Sequence, residues 1–266
     1  MPDATTIPNQ IRQLDGDRLR RYAEHLAFYA GDQWPPMTRR QQRRLVFNYA
    51  KAMIDKTASY VMSGLNFAVD PADDAPEAAV RARAAERALA RVYDENALDQ
   101  LDFDTEIDAS ILGDGAYKVT WDPAERRVRI TAPDVQGLFA WWQGDDVSRV
   151  WRVASRYTID AESARAMYGV TQPKAGRRSV ATKERGVEIV EAWTAETFEL
   201  YADGTRIDAR DNPYGFIPFV IFPNIREPKQ FWGVSDIPPI REPVRELNRA
   251  LTQLSMILEL SGNPIA

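Results

Sequence analysis

Phe231-Trp232-Gly233-Val234-Ser235-Asp236 leads into Ile237-Pro238-Pro239-Ile240, and from there an apolar residue returns at alternating steps of three and four. The set is Ile237, Ile240, Val244, Leu247, Leu251, Leu254 and Leu258. A period near 3.5 is that of a helix packed lengthwise along another helix. Ser235 and Asp236 can cap its start, and Gly262 followed by Asn263-Pro264 stops it. Residues 239–260 would form a rod about 33 Å long at ~1.5 Å per residue. Pro238 and Pro239 suit a first turn. Pro243 fits only if the helix bends there or begins near Arg241. Arg241, Glu242, Arg245, Glu246, Asn248 and Arg249 lie between the seam residues, facing solvent, a second helix or a polar channel. The seam needs a partner from upstream, from another subunit or from sequence further on. An amphipathic helix on an ordinary core has the same pattern.

Composition narrows the chemistry. With 266 residues, 44% of them hydrophobic and 27% charged, the chain can bury one large core or two smaller ones. The absence of Cys removes disulfides, thiolate catalysis and thiolate zinc sites. A single histidine, His25, removes multi-histidine metal sites within one chain. It reads as an exposed or structural residue on a helix carrying Leu19, Tyr22, Leu26 and Tyr29. No apolar run approaches the ~18 residues of a membrane span. The polar start Met1-Pro2-Asp3-Ala4 carries no secretory signal, so no membrane is expected as a partner. A net charge of −5 argues against a protein that grips nucleic acid over its whole surface.

Upstream, helical and β patterns succeed one another. A helix capped by Asn48 runs to Met62, with Met53, Ile54, Ala58 and Val61 on its buried side, and Ser63-Gly64 ends it. Residues 65–69 alternate as a short strand. A helix over 77–93 is anchored by Leu89 and Val92. A helix over 98–112 carries Asp99, Asp102, Asp104, Glu106 and Asp108, and Gly113-Asp114-Gly115 closes it. Residues 116–121 and 128–131 read as a hairpin. Further strands follow at 138–142 and 150–154, then a short helix over 160–168. A basic loop over 172–186 carries Lys174, Arg177, Arg178, Lys183 and Arg185. Strands at 187–194, 197–201 and 206–209 follow, the last two joined by Ala202-Asp203-Gly204. Pro218 places the apolar run 216–222 at a sheet edge or makes the proline its beginning. The expected class is α+β: an α/β body with antiparallel hairpins, then a long C-terminal helix.

Two features could carry other functions. Asp104 with Asp108, and Asp102 with Glu106, share helix faces, so a metal-dependent nuclease built on the Asp102 to Asp108 cluster is geometrically conceivable. A solvated face is the plainer account, because nothing nearby supplies a histidine or a phosphate-cradling loop. The basic cluster Arg39-Arg40-Gln41-Gln42-Arg43-Arg44 could hold phosphates, or dock a monomeric adaptor on an acidic partner. No GxxxxGK[ST], GxGxxG or GxSxG motif occurs.

Taken in order, these residues resemble a known family. Tyr29-Ala30-Gly31-Asp32-Gln33-Trp34, Arg44-Leu45-Val46-Phe47-Asn48-Tyr49-Ala50-Lys51, Asp55 and Gly64 are similar to the start of the portal proteins of long-tailed bacteriophages. So is Gly113-Asp114-Gly115-Ala116-Tyr117 at the entry to the first hairpin. Gly215-Phe216-Ile217-Pro218-Phe219-Val220, Phe222-Pro223-Asn224 and Gly233-Val234-Ser235-Asp236-Ile237 resemble the passage from wing into stem, continuing to Asn248, Leu254-Ser255 and Asn263-Pro264-Ile265.

The resemblance implies a wing over residues 1–230 and a stem helix over 231–266, the chain ending where a clip would begin. On that basis it is expected to be the N-terminal portion of a longer protein. The resemblance further implies a non-enzymatic homo-oligomer, usually a twelve-subunit ring, that needs no cofactor. Such a ring sits at the capsid vertex of the virion after assembly in the host cytoplasm. Its partners would be the terminase, capsid and scaffolding proteins, a head-completion adaptor, and double-stranded DNA passing without sequence specificity. A mildly acidic wall repels phosphate, so DNA would slide rather than stick.

Overall fold

The computed structural model describes residues 6–35, 44–62, 67–170 and 186–262. The basic residues 39–43, the stop at Ser63-Gly64, the strand start at Leu65-Asn66, the basic loop 172–185 and the final Asn263-Pro264 lie outside them. Helices and antiparallel sheets follow one another as expected for an α+β chain. Five helices come first: α1 (Ile7–Ile11), α2 (Gly16–Tyr29), α3 (Tyr49–Val61), α4 (Pro76–Glu95) and α5 (Leu98–Leu112). Strands β1 (Asp114–Asp122), β2 (Arg127–Thr131), β3 (Leu138–Gln143) and β4 (Asp146–Ile159) lead to α6 (Ala161–Tyr168). Then come β5 (Val187–Trp193), β6 (Thr197–Ala202), β7 (Thr205–Asp211), β8 (Phe219–Pro223) and the long α7 (Ile237–Gly262). The chain divides into two compact units, residues 1–19 with 133–220, and residues 20–132 with 221–266.

The first unit is a five-stranded antiparallel sheet in the order β3-β4-β5-β6-β7. Its two faces follow from period-2 alternation along β5. Val190 and Ala192 join Phe139, Ala154 and Tyr201 beneath Ile7 and Ile11 of α1. Val187, Ile189 and Trp193 point the other way, with Phe198, Leu200 and Ala164 of α6. Sequence patterning passes over α1, because a five-residue helix is too short to show a period. The buried Glu191 shares the α6 side. It accepts hydrogen bonds from the Tyr157 hydroxyl at 2.7 Å and the Trp193 indole at 3.1 Å. Burial first, and then that carboxylate, push the Tyr157 hydroxyl far above its ordinary pKa.

In the second unit a three-stranded sheet, β2-β1-β8, packs with helices α3, α4, α5 and α7. The hairpin turns where the Asp122 carboxylate accepts from the Ala124 and Glu125 amides. Strand β8 begins directly after Pro218 and lies at the sheet edge, as a residue lacking N–H requires. Asn48 caps α3 by accepting from the Lys51 amide. Three sequence expectations fail here. Met53 and Val61 are exposed on α3, whose packed side is Ala50, Ile54 and Ala58. Leu89 of α4 is exposed, and Ala78 and Ala82 are the residues that pack. Phe67 to Val69 form no strand.

Two glycines meet where the end of α5 passes the entry to α7. Gly113 has φ +108°, and a Cβ there would lie 2.9 Å from the Ser235 amide nitrogen. A Cβ on Gly233 would lie 2.3 Å from the Gly113 carbonyl oxygen and 2.6 Å from Pro223 Cβ. Both neighbours are backbone or ring atoms that cannot rotate away. Gly233→Ala is therefore expected to destabilise the fold by about 1–3 kcal/mol through overpacking, read as a lowered midpoint in urea unfolding. A midpoint equal to the parent's would mean that the two backbones can separate without cost.

Candidate assembly surface and the anchoring of its helix

The helix that carries the seam is fixed at its entry by backbone and short polar side chains. The Asp236 amide donates to the Ser110 carbonyl at 2.9 Å. The Ser235 hydroxyl donates to the Ile111 carbonyl at 2.5 Å, and its oxygen accepts from the Ile237 amide at 3.0 Å. One residue thus satisfies an orphan carbonyl at the end of α5 and an orphan amide at the start of α7. Asp114, fully buried, accepts from the Gly233 amide at 2.7 Å and the Tyr22 hydroxyl at 2.5 Å. The Asn224 amide donates to the Gly113 carbonyl, and its side chain reaches the Val234 carbonyl and Asp236. The Gly113-Asp114 and Gly233 to Asp236 motifs, 119 residues apart at the Asp114–Gly233 hydrogen bond, are one structural knot.

Further along, α7 is anchored by amides. Asn248 and Gln33 are each 1% exposed. The Asn248 side chain donates to Gln33 Oε1 at 2.7 Å and accepts from the Phe47 amide at 2.8 Å. Gln33 in turn donates to Asn48 Oδ1 at 2.7 Å, and Asn48 donates to the Tyr29 carbonyl. Thr252 accepts from the Leu45 amide, and Arg245 donates to the Gln33 carbonyl. Tyr29 and Lys51 close the network outward, with Tyr29 donating to Asp55 at 2.5 Å and Lys51 paired with Asp55 at 3.0 Å. The sequence signal for this face was a second stripe on α7, Ile237, Arg241, Val244, Asn248 and Thr252, largely polar and so overshadowed by the leucines.

The seam residues divide between two environments. Ile237 and Val244 are buried, and Ile240 and Leu251 are half-buried. Leu247, Leu254 and Leu258 are 38%, 50% and 62% exposed. At ~100° per residue the leucine stripe lies about a quarter turn from the buried polar stripe. Ile257 and Leu260 add to the exposed apolar surface. The helix starts at Ile237, earlier than the residue 239 expected from sequence, and passes unbroken through Pro243. Pro239 and Pro243 are both exposed, so water can take the place of the missing i→i−4 bond.

The residues singled out for other chemistry are in structural use. Asp102 accepts from the Tyr117 hydroxyl at 2.8 Å, and Tyr93 lies between it and Asp99. Tyr93 is pushed up to about 12, by desolvation first and then by Asp99. Glu106 is raised by burial and by the Asp236 charge, while Asp104 and Asp108 are exposed. Among the described residues no three His, Asp or Glu side chains converge closely enough to hold a metal ion. His25 is buried, and desolvation, followed by the Arg241 charge, lowers its pKa below 6.5. Arg44 stacks on Trp34 at 5.0 Å and donates to the Pro35 carbonyl. No helix among the described residues is long and apolar enough to cross a membrane.

The long helix is thus held in the middle by polar contacts, with an apolar stripe left in water. The chain is a phage portal protein: a family model described as phage portal protein, SPP1 Gp6-like, matches residues 10–265. That family is structural rather than enzymatic, and it places the chain in bacteriophage DNA packaging at a capsid vertex. No curated protein matches the chain.

Two outcomes follow from the anchor. Asn248→Ala leaves Gln33 Oε1 buried without its donor and the part-buried Phe47 amide without its acceptor, which is expected to cost about 1–3 kcal/mol in denaturant unfolding. An unchanged midpoint would show that water replaces the amide freely. For His25, the unfolded chain binds its proton near pH 6.5 while the folded chain resists it. Its contribution to stability is thus complete above pH 6.5 and is lost as the pH falls towards the depressed folded value. His25→Gln should flatten that part of the stability–pH curve, and a curve of unchanged slope would overturn the assignment.

Proposed function

We propose that the chain is the repeating subunit of a ring-shaped channel through which phage DNA enters and leaves the capsid. Residues 1–230 form its wing and 231–266 the stem, with Ile237, Ile240, Val244, Leu247, Leu251, Leu254 and Leu258 along the stem seam. The observation that carries this reading is the exposure of Leu247, Leu254 and Leu258 on a helix already fixed through its other face. Apolar area left in water is a standing cost of roughly 25 cal/mol per Å². A neighbouring copy removes it, and a contact between unlike faces closes into a ring when the rotation between copies divides a full turn. Membership of the portal family supplies the setting. The ring docks the terminase, sits among capsid and scaffolding proteins, and later holds the head-completion adaptor. It assembles in the host cytoplasm, ends in the virion and has twelve subunits. The nuclease reading is disfavoured because Asp102, one of the carboxylates of the Asp102–Asp108 cluster, is already committed to tyrosine hydroxyls. The adaptor reading rests on Arg39 to Arg44, of which Arg44 alone is described, stacked on Trp34.

The test is Leu254→Ala combined with Leu258→Ala. Each leucine buried between subunits is worth roughly 2–5 kcal/mol against Ala, and a ring repeats the loss at every interface. In one subunit both residues are exposed, so unfolding of the isolated chain should move by no more than about 0.5 kcal/mol. Sedimentation should show rings lost or weakened with monomer melting unchanged. Early melting of the monomer with intact rings would make the stripe ordinary core.

A further inference from the structure

We propose that the outer face of α4 is a docking surface for the phosphate backbone of duplex DNA. This helix is twenty residues long, and only Ala78 and Ala82 are fully buried. Arg83, Arg87 and Arg91 stand at i, i+4 and i+8, so they line up on one face, and all three are exposed. That face lies opposite Ala78 and Ala82 on the helical wheel. Among the described residues none of the three makes an ion pair or hydrogen bond, whereas Arg127, Arg245 and Arg249 each hold a glutamate. Like charges spaced by four residues repel one another along a helix. Glu86, Asp94 and Glu95 lie within one turn of the row without pairing to it, so the row keeps a locally positive potential within a chain whose net charge is −5.

The chemistry of the row selects its ligand. From Arg83 to Arg91 the helix rises about 12 Å, alongside which a duplex presents about seven phosphate charges at one per ~1.7 Å of axis. Val80, Ala84 and the half-buried Ala90 flank the row with uncharged side chains that leave room for a phosphate backbone, and the neighbouring Glu86 accepts from the Val69 amide. No aromatic ring shares the face, so stacking on unpaired bases is not offered. Tyr93 is half-buried, its hydroxyl donating to Asp99. Asp94 and Glu95 bound the row at its C-terminal end. Such a surface reads no sequence, and it acts whether or not the subunit is in a ring.

The experiment is fluorescence anisotropy of a labelled duplex of about 30 base pairs, titrated with the protein over a range of NaCl concentrations. The parent should bind at low salt, with affinity falling steeply as salt rises. Arg83→Gln/Arg87→Gln/Arg91→Gln should weaken binding at least tenfold and lower the log–log salt slope by about three, at ~0.9 per contact. Arg→Lys at the same positions should keep most of the affinity. A control removing the scattered exposed arginines Arg126, Arg165 and Arg226 should leave it near the parent's. Three results would overturn the proposal: no duplex binding by the parent at low salt, equal losses in the row variant and the control, or polyglutamate displacing the duplex at lower concentration than unlabelled DNA does. The last would assign the row to an acidic protein.

Discussion

The buried hydrogen bond between Asn248 and Gln33 is the constraint on which the second unit turns. Two uncharged amides, each 1% exposed, tie the middle of the long helix to the loop after α2 and, through Asn48, to the cap of α3. Buried amides are costly unless each donor and acceptor is matched, and the match tolerates little displacement along the helix. Sliding α7 by one turn would move Asn248 by about 5.4 Å and break the contacts of the helix with Gln33, Phe47 and Leu45. An all-leucine contact would tolerate that slip far better. The polar face thus fixes register, and the net stability it adds is modest.

The knot at Gly113 and Gly233 fixes the helix at its other reference point. There the backbones approach too closely for any side chain, and Ser235, Asp114 and Asn224 consume the polar groups that the approach would strand. With the entry and the middle both set, the azimuth of α7 is determined. Which residues face outward is then a consequence, and those residues are Leu247, Leu254 and Leu258.

Much of this fold is legible in sequence, and the omissions have physical causes. The bounds of α5, the hairpin β1–β2, the strand run β5 to β7 and the edge position of β8 follow from period, turn residues and Pro218. Helix α1 escapes because two isoleucines four apart cannot establish a period. Met53, Val61 and Leu89 mislead because apolar character marks a preference for burial, while small residues mark where helices touch. On α3 and α4 those are Ala50, Ala58, Ala78 and Ala82. The seam was visible, but its division into buried and exposed members was not. That division depends on Gln33, which lies 215 residues from Asn248 in the chain. The acidic run on α5 looked like one cluster, yet Tyr93 and Tyr117 take Asp102 out of it.

Helix α7 departs from the usual arrangement, in which apolar side chains face the chain's own body and polar ones face water: Asn248 and Thr252 are buried beside Ile237 and Val244, while Leu247, Leu254 and Leu258 are exposed. Hydrogen bonds are directional, so they specify a pose; apolar contacts are not, and scale with area. A helix held by leucines internally and presenting amides outward would have an ill-defined register and a partner surface already satisfied by water. With amides inside, the chain fixes the pose of α7 by itself and leaves Leu247, Leu254 and Leu258 in water. The exposed Leu247, Leu254 and Leu258 therefore keep a regular stripe, with the half-buried Leu251 among them.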